Sequence, residues 1–247
     1  MFDLLIHDLT GPLSIASTST ANLLHKPDRY GSASESQKRV LERILRNVQK
    51  AQNLLQEMVE VLRSEEGLFQ KDFFSIEKTV RDSLLDALEM TTPHAVEKLC
   101  LVEDHEEFQS CLKDYGIFIE ITGKYCKAPF CHDQKKIQQI LRNLMSNAMK
   151  YRRERMGVKI SGEVDLLVLV EDDGIGIPLD EQDIIFERFV RLNDKKRTSV
   201  PGLGLGLTGV KTLVEAMGGE ITLESREGVG TQFMVRIPPV QSLIPLE

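Results

Sequence analysis

The hydrophobic period of this chain changes near Gly67, and that change limits what each part can fold into. Before it, apolar or small residues recur at alternating spacings of four and three. Leu5, Leu9, Pro12, Ala16, Ser19 and Leu23 form one such run, and Leu41, Ile44, Val48, Ala51, Leu55, Met58 and Leu62 a second. This is a heptad seam, the pattern of coiled coils and four-helix bundles. The segment HKPDRYGSAS between them carries Pro27, Gly31 and serines, which predicts a turn. Ser34 with Gln37 three residues on fits a capping box that opens the second helix, expected over residues 35–66. Two helices alone cannot enclose a four-helix core. The simplest solution is a homodimer to which each chain gives one hairpin. Packing of the hairpin on the rest of its own chain is the alternative, but a seam sustained over several heptads in both helices favours the dimer.

After the boundary stretch LFQKDFF the pattern mixes. SIEKTVRDSLLDALEM, QKKIQQILRNLMSNAMKY and GLTGVKTLVEAMGG read as helices, the last ended by paired glycines. IFIEI, VKIS, VDLLVLVED, GEITLES and TQFMVRI read as strands, with β-branched residues and partial alternation. Interleaved helices and strands predict an α/β sandwich. Residues 92–116 read as a helix extension and an irregular segment. The expected organisation is a helical domain over 1–66, a linker over 67–72 and a sandwich domain over 73–247, giving an α+β chain.

Composition narrows the functional classes. The 247 residues suit one large domain or two modest ones, with room for a core. A formal charge of −7 argues against a nucleic-acid partner. The apolar runs fall short of the roughly 20 residues of a membrane span, and the start is not a signal peptide, so this stretch is expected to make no membrane contact. Cys100, Cys111, Cys126 and Cys131 are irregularly spaced and read as free thiols in a reducing, cytoplasmic setting. Cys126, Cys131 and His132 could form part of a metal site, but their spacing matches no standard zinc pattern.

Four short stretches carry chemistry. In NLMSNAMKY, Asn143 and Asn147 stand four apart and share a helix face. A carboxamide oxygen there can ligate Mg²⁺, a hard cation that bridges phosphates; two solvated asparagines are the plainer reading. In VEDDGIGIP a strand ends in Asp172, followed by Gly174 and Gly176. A carboxylate at a strand end can accept a hydrogen bond from an exocyclic amine such as that of adenine, and glycines let backbone approach a flat base. An ordinary strand-end turn is the alternative. In IFERFVRL, Phe186 and Phe189 share a short helix, as core phenylalanines also do. In PGLGLGLTGVKTLV, Gly202, Gly204 and Gly206 alternate before a helix begins, a sequence suited to phosphate at a helix N-terminus. Neither GxxxxGK[ST] nor GxGxxG in a βαβ unit is present, which disfavours both commoner nucleotide folds.

Taken in this order and spacing, the four stretches resemble the N, G1, F and G2 boxes of the ATP-binding domain shared by histidine kinases, gyrase B, Hsp90 and MutL. The opening HDLTGPL resembles the H box of two-component sensor histidine kinases. The resemblance runs from His7 to about Pro238. It implies an ATP-dependent protein-histidine autokinase that passes the phosphoryl group to the aspartate of a response-regulator receiver domain. By similarity, His7 is the phosphoacceptor and Asp8 the acid that orients its ring and takes its proton. Asn147 is the principal Mg²⁺ ligand, with Asn143 supporting. Lys150 reaches a phosphate, Tyr151 lies near adenine, and Asp172, with Gly174 and Gly176, receives the adenine amine. Phe186 and Phe189 anchor a lid over roughly residues 190–205, which Gly202, Gly204 and Gly206 let fold over the triphosphate. The expected cofactors are ATP and Mg²⁺.

Pro12 lacks an N–H, so the Asp8 carbonyl loses its i+4 partner beside His7, and Gly11 loosens the same turn. A bent helix there could swing between ATP and the regulator. Three positions depart from the family pattern: Thr10 replaces a basic residue, Gly11 replaces threonine or asparagine, and Leu203 replaces a small hydroxyl residue. The second puts phosphatase activity in doubt. Competing readings are a phosphotransfer or docking module with the kinase fold but without productive ATP use, and an ATPase or serine kinase of the same superfamily. The second helix, about 32 residues or about 48 Å, outruns the first at about 36 Å. From that mismatch the chain is expected to be the catalytic core of a longer sensor kinase.

Overall fold

The computed structural model describes residues 2–64, 69–102, 104–187 and 206–240, and their side chains except at 2–9, 50, 53–54, 56–64, 90–91 and 93. The chain divides into two compact units, Met1–Arg63 and Ser64–Glu247.

The first unit is a helical hairpin: α1 (Phe2–His25), the short α2 (Pro27–Tyr30) and α3 (Glu35–Ser64). Helix α1 runs through Pro12. The expected turn contains α2, whose first residue is Pro27, the position where a missing N–H costs nothing. The capping box forms as read. The Ser34 N–H donates to Gln37 Oε1 at 2.8 Å and the Gln37 N–H to Ser34 Oγ at 3.3 Å. Gln52 Nε2 reaches Ser14 Oγ at 3.5 Å, bringing α3 alongside α1. Among the described residues the seam is not fully buried. Leu41, Val48, Ala51 and Leu55 are only partly buried, and Leu23 and Ile44 remain 40% and 42% exposed.

The second unit is built on a sheet of five strands: β2 (Ile117–Ile121), β4 (Met156–Ser161), β5 (Leu166–Asp172), β6 (Glu220–Arg226) and β7 (Gly230–Ile237). Their spatial order is β2-β4-β5-β7-β6. Strand β2 pairs parallel with β4, and the other pairs are antiparallel. Alternation sends Val158, Ile160, Val168, Val170, Phe233 and Val235 to one face. On that face pack α7 (Gln134–Tyr151) and α8 (Gly206–Ala216), and α4 (Ile76–Thr91) packs on α7. Helix α7 meets the core with Ile137, Ile140, Leu141, Leu144 and Met145, and α4 with Val80, Leu84, Ala87 and Leu88, each at helical spacing. The other face carries the cross-strand row Phe118, Gly157, Glu171, Gln232 and Glu224, which lines an open cleft of about 600 Å³.

Two segments differ from the sequence reading. Residues 92–116 are not a helix extension with an irregular tail but two further helices, α5 (Pro93–Leu99) and α6 (His105–Asp114). Ala95, Leu99, Val102, Phe108 and Leu112 bury into the core. Arg81 of α4 holds them. Its guanidinium lies 3.9 Å from the Phe108 ring centroid and donates to the carbonyls of Leu99, at 3.3 Å, and Val102. Helices this short leave little periodicity to read, although Asp104, which caps α6 by accepting the Glu107 N–H at 2.8 Å, is a start signal. The boundary stretch also enters structure: β1 (Asp72–Phe74) pairs antiparallel with β3 (Phe130–His132).

The metal reading of Cys126, Cys131 and His132 finds no support. Among the described residues no group of His, Cys, Asp and Glu is arranged to hold a metal. His132 is buried, with Nδ1 accepting the Asp133 N–H at 2.8 Å, and its ring packs against Phe69 and Phe130.

Candidate functional site

The site is assembled by the end of α7, the end of β5 and the glycine turn that follows. Asp133 sets where α7 begins: one carboxylate oxygen accepts the Lys136 N–H at 3.2 Å and the other the Gln70 N–H at 3.0 Å. From that start the helix buries its apolar stripe. Asn143, Asn147 and Lys150, spaced i, i+4 and i+7, form a partly buried row on another face. Neither asparagine side chain hydrogen-bonds to another described residue. Tyr151 closes the helix and is 36% exposed.

At the other side of the site, Met156, Asp172, Thr231 and Ser225 stand opposite one another across four strands, on the helix-covered face. Asp172 accepts the Gly174 N–H at 2.9 Å. Desolvation pushes its pKa up to about 6; the backbone N–H groups of Gly174 and Thr231 pull against that rise. The glycines that follow are required by space. A Cβ on Gly174 would lie 2.1 Å from the Tyr151 carbonyl oxygen and 2.5 Å from Asp172 Oδ1. Gly176 has φ +67°, and a Cβ there would stand 2.0 Å from the Arg226 carbonyl oxygen. Gly174 thus lies against both the Tyr151 backbone and the Asp172 carboxylate.

Asp173, which the sequence reading passed over, joins the two sides. Its carboxylate accepts the N–H groups of Arg153, Glu154 and Arg155 at 3.0–3.1 Å. Desolvation opposes the shift, but these bonds hold its pKa below the usual value. Thr231, Ser225 and Gln182 were also missed. Their places follow from strand register and turn geometry, and no local motif announces them.

Phe186 packs edge-on to Phe233 at 6.3 Å, with Lys211 Nζ 5.4 Å from its ring centroid. Gly206 opens α8, and no described atom lies within 4 Å of where its Cβ would be. Phe189, Gly202, Leu203 and Gly204 lie outside the described residues. His7 and Asp8 are on α1, but their side chains also lie outside them; Thr10, Gly11 and Pro12 are exposed.

The five-stranded mixed sheet covered on one face by helices is the fold of an ATPase domain of the gyrase and Hsp90 type. Residues 132–241 match the family described as histidine kinase-, DNA gyrase B- and HSP90-like ATPase. The chain belongs to the sensor histidine kinase branch of that family, as a catalytic core. It is 36% identical over 160 residues to sensor histidine kinase WalK of Bacillus subtilis, covering 63% of this chain and 23% of that protein. It is 30% identical over 244 residues to the circadian input-output histidine kinase CikA of Thermosynechococcus vestitus, covering 97% and 31%. The chain therefore spans about a quarter to a third of the length of these relatives. A crystal structure of full-length ShkA in complex with AMPPNP superposes with a TM-score of 0.70 over 96% of this chain and 45% of its own, at 22% identity, a likeness of fold. Among the described residues no helix is long and apolar enough to cross a membrane.

Proposed function

We propose that this chain is an ATP-dependent protein-histidine autokinase of a two-component system. His7 accepts the γ-phosphoryl group and passes it to a response-regulator aspartate. The observation that carries the nucleotide half is Asp172: a carboxylate drawn into the protein at a strand end, beside a turn where only glycine fits. Such a group needs a donor to offset its desolvation, and the exocyclic amine of adenine supplies one. Tyr151 borders the base, and Lys150 meets a phosphate.

The donor set on α7 fits a divalent cation. Asn147, with Asn143 one turn away, offers carboxamide oxygens unused by described protein donors, and Mg²⁺ takes few protein ligands beside phosphate and water. Bound there, Mg²⁺ would neutralise phosphate charge during transfer. Phe186 on Phe233 anchors the chain that leads to Phe189 and to Gly202, Gly204 and Gly206, whose backbone is suited to the triphosphate.

At His7, a neutral imidazole nitrogen attacks the γ-phosphorus, the bond to ADP breaks, and Asp8 takes the ring proton. Two copies of the chain would close the exposed seam around Leu23 and Ile44 into a four-helix bundle. Gly11, in place of an amide or hydroxyl side chain, leaves little means to orient a water against the phosphorylated regulator, so phosphatase activity is weak.

Incubation with γ-labelled ATP, wild type beside His7→Gln, tests the reading. Wild type should carry acid-labile, alkali-stable label and the variant none. Full labelling of His7→Gln, or an acid-stable product, would overturn it.

A further inference from the structure

We infer that Gln182 and Ser225 are positioning residues that set the selectivity of this site for adenine. The inference rests on the reading of Asp172 and its glycine turn as the base pocket. Gln182 lies between two short 3-10 turns, Leu179–Glu181 and Ile184–Phe186. Its carboxamide nitrogen donates to the Ile177 carbonyl and to the Ser225 carbonyl, both at 2.9 Å, so both of its hydrogens are engaged. Ser225 Oγ accepts the Ile177 N–H at 2.8 Å. Both backbone groups of Ile177 are thereby fixed, one by each residue. The Gly228 N–H adds a bond to the Ile175 carbonyl at 2.7 Å. The turn is consequently held at its far end by these bonds and at its near end by the Gly174 N–H on Asp172.

Ser225 also orients Thr231. It donates to the Gly230 carbonyl at 2.9 Å and lies 3.0 Å from Thr231 Oγ1. A hydroxyl has one hydrogen. With that hydrogen given to Gly230, Ser225 can only accept from Thr231, which turns the Thr231 hydrogen toward Ser225. Thr231 stands directly opposite Asp172 in the strand ladder, so its oxygen remains an acceptor next to the carboxylate. Two acceptors side by side suit an amine-bearing base edge and oppose a carbonyl-bearing one. Without the clamp the turn can relax and Asp172 loses its aim. The asparagine row on α7 does not depend on Gln182 or Ser225, so phosphate binding should be spared.

The test compares ATP with purine riboside triphosphate, which lacks the exocyclic amine, by calorimetric titration of the full chain with Mg²⁺. Wild type should bind ATP at least about tenfold tighter, the range expected for one hydrogen bond to a charged group. In Gln182→Leu that ratio should fall to about threefold or less, with affinity for the amine-free nucleotide unchanged. KM for ATP should rise while kcat at saturating ATP is kept. Ser225→Ala should behave likewise, and Ser225→Thr, which retains the hydroxyl, should restore the ratio. Wild type that binds both nucleotides equally would refute the base-pocket reading itself. Wild-type selectivity that persists in both Gln182→Leu and Ser225→Ala would overturn the clamp alone. So would an equal loss of both nucleotides in the variants, which marks a purely structural role.

Discussion

The Thr208 hydroxyl donates to the Glu187 carbonyl at 2.9 Å, tying the first turn of α8 to the chain that leaves Phe186. Thr208 is buried, so the bond has little competition from water. It joins the two ends between which residues 188–205 run.

Thr208→Val keeps the shape and removes the donor. The Glu187 carbonyl then loses its partner, at a cost of about 1 kcal/mol. For a unit of this size that lowers the midpoint of thermal unfolding by about 2–4 °C. A thermal melt of the purified chain measures it, and an unchanged midpoint would show that the bond contributes nothing.

Asp172 makes a pH-dependent prediction. Burial raises its pKa to about 6, above the 3.8 of an exposed aspartate. Between those values the unfolded chain releases its proton while the folded chain keeps it. Relative to a neutral side chain, stability is therefore full below about pH 4 and lost as pH rises through about 6. Asp172→Asn should gain on wild type over that window, by about 1–2 kcal/mol at pH 8 after discounting for partial exposure. Urea unfolding at pH 4 and pH 8 gives the difference, and the change with pH, rather than the absolute offset, is the readout. The same variant should bind ATP more weakly at pH 8, because an amide cannot reproduce a charged acceptor. A pH-independent difference in stability would mean that Asp172 ionises normally.

Much of the fold was legible because strand alternation and the helical stripe of α7 follow burial directly. Val168 and Val170 face helices and Glu171 does not, and the sequence VLVED says as much. The capping box at Ser34 was legible because it is wholly local. What escaped was non-local or short. Ser225 and Thr231 matter only through strand register and Gln182 through turn geometry, since nothing near Ser225 in sequence indicates that it will meet Ile177. Strand β1 has three residues and takes its partner from β3, more than fifty residues on. Helices α5 and α6 owe their place to Arg81, whose two carbonyl acceptors lie 18 and 21 residues away.

That last dependence can be measured. Arg81→Leu removes both hydrogen bonds and the cation above Phe108, while the apolar part of the side chain is retained. Hydrogen exchange over residues 93–114 should quicken by about tenfold or more, corresponding to a local loss of at least about 1.4 kcal/mol. Strands β4, β5 and β7 should exchange as in wild type. Uniform quickening across the unit would mean that α5 and α6 are not a separable layer.

His132 should oppose Asp172 in its pH response. Burial of the ring lowers its pKa below 6.5; Asp133 pulls the other way but does not win. The folded unit therefore holds the neutral ring, with Nδ1 as acceptor for the Asp133 N–H. A proton on Nδ1 would face that N–H and break the bond. The damage falls on Asp133, which caps α7 through Lys136 and holds the Gln70 backbone. Because the folded pKa is depressed, this contribution is complete above about pH 6.5 and is lost as pH falls from there toward the folded value. His132→Gln keeps an acceptor but cannot titrate in this range. Both chains are compared in an Asp172→Asn background, which silences the opposing group. The chain that keeps His132 should lose stability between about pH 7.5 and about pH 5, and the chain that also carries His132→Gln should lose less. Urea midpoints at the two pH values, with hydrogen exchange at the start of α7, report the global and local effects. Equal pH slopes in the two chains would show that His132 does not gate the α7 cap.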